Sequence, residues 1–327
     1  MPVAEMTYRK VPRLGAAVSM LGLGTAQLAN TDGQQPGMRV VPSEDVQRIL
    51  AIMVDAGVTF FDTADFYGNA EIELGRLPGA TKARVLIATK AGRTAGGSRD
   101  FSRAYLEGQV ERSLRRLRVD ALDLFQLNKP SQAQLATGEP FDVLDRLKRA
   151  GKIRFGGVVV GHVATGDICL RAGVVDAIQV LYNMLVTEAE DLIRAAAADG
   201  LLVVARSPLN SGVLSGTYTA ATTFPPEDER SGYLAGEAFA ARMRAVQSMQ
   251  AELDAGGDRL LETALAFVLS NPDVSTVIPG ASSESQARRY LSCAHAPRLD
   301  AGERARIARV VARHLRTVPP VFQVFQN

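Results

Sequence analysis

The feature that most narrows what this chain can fold into is an alternation repeated along its length. Short runs rich in Val, Ile, Leu and Phe are each followed by a longer stretch with helical spacing. The runs fall at residues 20–24, 58–62, 85–89, 122–127, 153–160, 177–181, 201–205 and 275–278. Between the first two, Val46, Ile49, Leu50, Met53 and Val54 recur at i, i+3, i+4, i+7 and i+8, the stripe of an amphipathic helix. Ser43 suits its N-cap, Glu44 and Asp45 its electropositive first turn, and Gly57 its end. Residues 101–117 repeat the pattern, with Ser102 as cap and Leu106, Val110, Leu114 and Leu117 along one side. Further helices are expected at 141–150, 164–172, 188–198, 260–269 and 284–292.

Apolar strands alternating with helices require a parallel sheet covered on both faces. Eight such units fit an α/β fold of the (β/α)8 TIM-barrel type better than an open doubly wound sheet. The open sheet needs a glycine-rich phosphate turn after an early strand. Gly22-Leu23-Gly24-Thr25-Ala26-Gln27 lacks both the third glycine and an immediate helix. Residues 8–17, with Pro12 and Gly15, read as an N-terminal β-hairpin capping the barrel bottom, and residues 217–236 as a long loop on the top rim. A barrel of this kind runs to 327 residues as one domain, here 1–327.

Composition excludes other classes. A net charge of +2, from 37 basic and 35 acidic residues, argues against nucleic-acid binding driven by bulk charge. No apolar run approaches the roughly 18 residues of a membrane span, and the first 20 residues lack a signal-peptide core. Cys169 and Cys293, far apart, read as reduced thiols, which with the missing leader suggests a cytoplasmic protein. His162, His295 and His314 lie too far apart in sequence for a His-rich metal site, so no metal is expected. Nothing sets an oligomeric state. The apolar stretch 318–325 suits a wall of the substrate site, a patch on the barrel exterior or a contact with a second subunit.

In such a barrel the working residues sit at the carboxyl ends of strands. There the sequence places Asp62 and Tyr67, Lys90, Asn128 and Lys129, Gln179 and Asn183, Arg206 and Ser207, and a Pro279-Gly280-Ala281-Ser282-Ser283 turn. A lysine beside a core must be paired, and Asp62 on the adjacent strand is the obvious partner. A cation in reach of Tyr67 lowers a phenol pKa from about 10 by roughly one to three units and makes it a proton donor near neutrality. The plainer reading is a buried ion pair with no chemical role.

These residues resemble the aldo-keto reductases, over nearly the whole chain. Phe60-Phe61-Asp62-Thr63-Ala64-Asp65-Phe66-Tyr67-Gly68-Asn69-Ala70-Glu71 is similar to the family's aspartate–tyrosine signature, and Ala88-Thr89-Lys90 to its lysine strand. Leu122-Asp123-Leu124-Phe125-Gln126-Leu127 resembles the strand leading to its histidine. Gly151-Lys152-Ile153-Arg154, Ser207-Pro208-Leu209-Asn210-Ser211-Gly212-Val213-Leu214-Ser215-Gly216 and Val277-Ile278-Pro279-Gly280-Ala281 followed by Gln286 are similar to further family segments, in the same order. Arginine before Ser-Pro-Leu resembles a bacterial branch. The resemblance implies a barrel that binds NADPH, with NADH admissible, and transfers hydride to a small organic substrate. Catalytic roles would fall to Asp62, Tyr67, Lys90 and Asn128. Cofactor contacts would come from Gly24, Thr25, Asp62, Gln179, Arg206, Ser207, Leu209, Ser211, Gly212, Ser215, Gly280, Ser282, Gln286 and Arg289. Arg206 would lie near the nicotinamide, Gln179 on its carboxamide, and the 209–216 loop along the pyrophosphate by its backbone N–H groups.

Three departures from the family pattern bear on function. Asn128 stands where relatives carry histidine; it donates a hydrogen bond but does not titrate. Val159 replaces a serine, and His162 just beyond reads as a rim residue. Ser282 or Ser283, with Tyr290, replace the basic residue and asparagine expected for a 2′-phosphate, leaving Arg288 and Arg289 as substitutes. The expected function is therefore NAD(P)H-dependent reduction of a C=O or conjugated C=C bond with Tyr67 as proton donor. A non-redox lyase or dehydratase, or a cofactor-sensing protein, stands as the alternative.

Overall fold

Each apolar run becomes a strand because its side chains are buried on both faces, inward against the barrel axis and outward against helices. The computed structural model describes residues 6–34, 39–256 and 259–316. A hairpin of β1 (Tyr8–Val11) and β2 (Ala16–Ser19) precedes the barrel strands β3 (Leu23–Gly24), β4 (Phe60–Asp62), β5 (Leu86–Ala91), β6 (Leu122–Asn128), β7 (Ile153–Val159), β8 (Ala177–Leu181), β9 (Leu202–Arg206) and β10 (Thr276–Ile278). All neighbouring barrel strands pair in parallel, in sequential order. Bridges Leu21↔Val277 and Gly24↔Gly280 close the ring, with Gly22 N donating to Val277 O at 2.8 Å and Gly24 N to Pro279 O at 3.0 Å. A Cβ on Gly22 would stand 2.9 Å from Phe60 O, so this seam requires glycine.

The helices are α1 (Ser43–Asp55), α2 (Ala70–Gly75), α3 (Gly79–Lys82), α4 (Arg103–Leu117), α5 (Gln132–Ala136), α6 (Glu139–Arg149), α7 (Val163–Ala172), α8 (Glu190–Ala198), α9 (Gly236–Glu252), α10 (Arg259–Leu269), α11 (Glu284–His295) and α12 (Ala301–Leu315). The expected stripes face inward: Val46, Ile49, Leu50 and Met53 of α1 and Leu106, Val110, Leu114 and Leu117 of α4 are all buried. Each such side chain contributes about 1.5–3 kcal/mol on leaving water. A second, smaller cluster fills the barrel axis, where Val11, Leu14 and Val18 of the hairpin region join Phe60, Ala88, Leu124, Ala177, Leu202, Val204 and Ile278. The hairpin therefore plugs the barrel bottom as expected, and the opposite end is left for chemistry.

Some local expectations differ. Ser43 lies inside α1, with Pro42 at the cap position, and its hydroxyl bonds Glu73 Oε2 at 2.9 Å. Two long helices, α9 and α12, were not expected. They pack on each other outside the eightfold repeat, α9 burying Phe239, Met243, Val246 and Met249, and α12 burying Ile307, Val310 and Val311. The 217–236 loop is braced where Arg230 meets Asp228 and donates to Tyr218 Oη at 2.7 Å. The stretch 318–325 lies outside the described residues. Among the described residues no helix is long and apolar enough to cross a membrane.

Candidate active site

Asp62 ends β4, and in the β4–β5 register it faces Ala88. Lys90 lies two residues beyond Ala88 and so points to the same side of the sheet. Its Nζ donates to Asp62 Oδ2 at 2.6 Å and to Thr63 O at 2.7 Å. The two side chains are 3% and 4% exposed, so both charges are largely removed from water and depend on each other. Burial alone would push the Lys90 ammonium down; Asp62, together with Tyr67, holds it above its ordinary value instead. The other carboxylate oxygen, Asp62 Oδ1, accepts from Gln179 Nε2 at 2.7 Å and from Gln126 Nε2 at 3.4 Å. Gln126 was not among the expected site residues.

Tyr67 reaches this pair through a turn after β4, in which Asp65 N donates to Lys90 O at 3.1 Å and Ala70 N to Tyr67 O at 2.8 Å. Lys90 Nζ stands 4.9 Å from the centre of the Tyr67 ring, a cation–π distance. Phe66 meets that ring edge-on at 4.9 Å. The structure thus brings Asp62, Tyr67 and Lys90 into one cluster at the barrel mouth. Asn128, at the end of β6, is 6% exposed, and its backbone O accepts from Arg99 Nη1 at 2.6 Å. Val159 is buried beside it, paired with both Asn128 and Gln179. His162 is exposed at the cap position of α7, in keeping with a rim residue.

Backbone strain gathers at the same end. Lys129, Ser207, Asn210 and Ser211 carry positive φ of 55°, 54°, 51° and 53°, a region costly for side chains with a Cβ and common where a site needs unusual backbone aim. Asn183 helps to hold Ser207 there, its Nδ2 donating to Ser207 O at 3.0 Å.

The residues expected to meet a dinucleotide lie around the ends of β9 and β10. Arg206 Nε and both polar atoms of the Asn210 side chain are buried without hydrogen-bond partners among the described residues. Burial pushes the Arg206 guanidinium down to about 10, with Tyr67 and Asp62 acting against it. The 207–216 loop differs from the expected nest of free N–H groups. The amides of Asn210, Gly212, Val213, Leu214 and Ser215 donate within the loop, leaving partly exposed Ser207, Ser211 and Ser215 as polar groups on its surface. Ser215 Oγ bonds Gly212 O at 2.6 Å, and Tyr233 Oη reaches Ser211 Oγ at 3.4 Å. Leu209 is half-buried against the main core.

On the adjoining strand end, a Cβ on Gly280 would come within 3.1 Å of Gln27, so glycine keeps that face low. Ser282 N and Oγ both donate to Gln286 Oε1, at 2.8 and 3.3 Å, at the start of α11. Gly24 sits in the closing seam, and buried Thr25 donates its hydroxyl to Asp62 O at 3.0 Å. Arg289 is half-buried on α11, and exposed Arg288 lies 3.8 Å from Glu284. Tyr290 turns back to donate to Gly280 O at 3.1 Å. Sequence reasoning missed Arg39, far away in the chain, whose Nη1 donates to Ser282 Oγ at 3.2 Å.

A parallel barrel with a carboxylate–lysine–tyrosine cluster at its mouth is the arrangement that the resemblance to the aldo-keto reductases implies. Comparison with known proteins agrees. The profile of the aldo/keto reductase family matches residues 20–312. The chain is 26% identical over 303 residues to the uncharacterized oxidoreductase YqkF of Bacillus subtilis, covering 90% of this chain and 93% of that one. It is 27% identical over 302 residues to the L-galactose dehydrogenase of Arabidopsis thaliana, covering 89% and 88%. Among solved structures it superposes on the holo form of an aldo-keto reductase from Bacillus halodurans with a TM-score of 0.77 at 28% identity, covering 94% and 96%. The glycerol dehydrogenase of Gluconobacter oxydans gives 0.78 at 26%, covering 98% of each chain. The chain belongs to the aldo/keto reductase family. It is an NAD(P)-dependent oxidoreductase acting on a small molecule, and it uses a nicotinamide cofactor.

Proposed function

We propose that this protein reduces a carbonyl, or a C=C bond conjugated to one, in a small organic substrate, with Tyr67 delivering the proton. The observation that carries the reading is Lys90, tied to Asp62 at 2.6 Å while standing 4.9 Å from the Tyr67 ring. A nicotinamide held near Arg206 and Gln179 would supply the hydride. Asp62 keeps Lys90 charged and fixed. Lys90 in turn favours negative charge on the Tyr67 oxygen as its proton leaves. Asn128 can donate a hydrogen bond to the substrate oxygen in place of the usual imidazole, without titrating. Arg206, with Nε buried and unpaired among the described residues, suits the nicotinamide end of the slot.

NADPH is the proposed donor, with NADH admissible. Support comes from Arg39, a guanidinium 3.2 Å from Ser282 Oγ at a place where the sequence offers only serines. Gln179 holds Asp62 through one Nε2–H at 2.7 Å, and its second N–H and its Oε1 are the groups it can offer to the carboxamide.

The test is Tyr67→Phe. It keeps the ring over Lys90 and removes the proton. Turnover with aldehyde, ketone and enone panels is expected to fall about 10²- to 10⁴-fold, with NADPH binding, read by quenching of tyrosine emission, nearly intact. Unchanged turnover would remove Tyr67 from the mechanism.

A further inference from the structure

The mouth is strongly cationic on one wall. Arg93 and Arg99 bracket the loop after β5 and pair with each other across an antiparallel bridge. The Arg93 guanidinium lies 5.6 Å from the ring of Phe66, which itself packs edge-on against Tyr67. Arg99 reaches across to donate to Asn128 O at 2.6 Å. Lys129 follows Asn128 directly, in a left-handed conformation with φ of 55°. Burial, then Arg206, Arg99, Arg93 and Lys90, push its ammonium down to about 7. Burial and Arg93 likewise hold Arg99 below its usual value. Like charges gathered in a partly dry site repel one another, and an anion entering among them relieves that cost.

We propose that the substrate is an anionic carbonyl compound, its carboxylate or phosphate held by Arg93, Arg99 and Lys129 while its carbonyl faces Tyr67. The topology sets this wall across the mouth from the proposed cofactor position. In the ring order, β5 and β6, which carry these cations, lie half-way round the barrel from β9 and β10, whose loops form the dinucleotide slot. The guanidinium fork matches either oxyanion in a bidentate manner, and a lysine adds a point charge. The inference rests on the reductase reading above and adds the substrate's charge to it.

The experiment compares 4-carboxybenzaldehyde and 4-formylphenyl phosphate with neutral methyl 4-formylbenzoate, using NADPH and the full chain. At least one anionic aldehyde is expected to show a KM roughly tenfold to a hundredfold below the ester's, the range of a charge-assisted contact. Which of the two gains more identifies the oxyanion. In Arg99→Gln and Lys129→Met the ratio of kcat/KM between anionic and neutral substrates is expected to fall toward one. A second arm uses the unmutated protein with NADP+ and measures terephthalate binding by calorimetry, with terephthalamide as control. Equal KM values for all three aldehydes, with no preference for terephthalate, would overturn the inference and leave the reductase reading standing. Terephthalate binding without reduction of any aldehyde would uphold the anion site and overturn the reductase reading.

Discussion

Lys90→Met keeps most of the side-chain volume and removes one charge from a buried pair. Asp62 is then left 4% exposed, having lost its 2.6 Å bond to Nζ. Gln179 and Gln126 still donate to Oδ1, and Arg206 is then the cation left near the carboxylate. Stranding one member of a buried ion pair costs about 3–5 kcal/mol. Unfolding entropy near 2.1 cal/mol/K per residue gives about 0.7 kcal/mol/K for a chain of this length, so Tm should fall by about 4–7 °C. Adding Asp62→Asn removes the stranded charge and keeps an acceptor for Gln179. The double variant is therefore expected to be more stable than Lys90→Met alone. Thermal unfolding of wild type, both single variants and the double variant forms the cycle. Strict additivity, or a Lys90→Met protein as stable as wild type, would refute the claim that the two charges depend on each other.

Two further outcomes follow from the geometry. Burial and Glu71, against Arg116 and Arg112, raise the Asp65 carboxyl from 3.8 to about 7, and its Oδ1 is buried without a hydrogen-bond partner among the described residues. Between those values the folded chain holds a proton that the unfolded chain has lost, so this group makes stability fall as pH rises from about 4 to 7. Asp65→Asn should therefore gain Tm over wild type progressively across that window; a pH-independent difference would refute the reading. Arg39→Ala is expected to weaken NADPH binding about tenfold or more and to leave NADH nearly unchanged, as loss of a guanidinium–phosphate contact would. Equal weakening of both cofactors, measured by tyrosine quenching, would remove Arg39 from 2′-phosphate recognition.

Much of the site was legible because its residues are punctuation in a regular pattern. Asp62 and Lys90 interrupt apolar strands, and a charge there must meet its opposite on the neighbouring strand. Gln126 was harder to recognise, since an amide within an apolar strand gives no sign of which way it faces until β6 is set in register with its neighbours. Arg39 and Arg99 act on Ser282 and Asn128, distant in sequence, and no local spacing encodes such a meeting. The use of the 207–216 amides within their own turns, with positive φ at Ser207, Asn210 and Ser211, was likewise invisible.

The sequence alone pointed to the barrel, because eight alternations of buried strand and one-sided helix call for a parallel sheet covered on both faces, and the chain lacks the glycine-rich turn of an open doubly wound sheet. It also placed an acid, an amine and a phenol near one end. Only the tertiary structure decided that Asp62 is held on both oxygens, that Arg99 crosses from the loop after β5 to Asn128 O, and that α9 and α12 pack together outside the ring. The physical reason is that hydrophobic periodicity records how each segment meets water. Which side chains converge across the mouth depends on strand register and closure, which arise only when the whole ring forms.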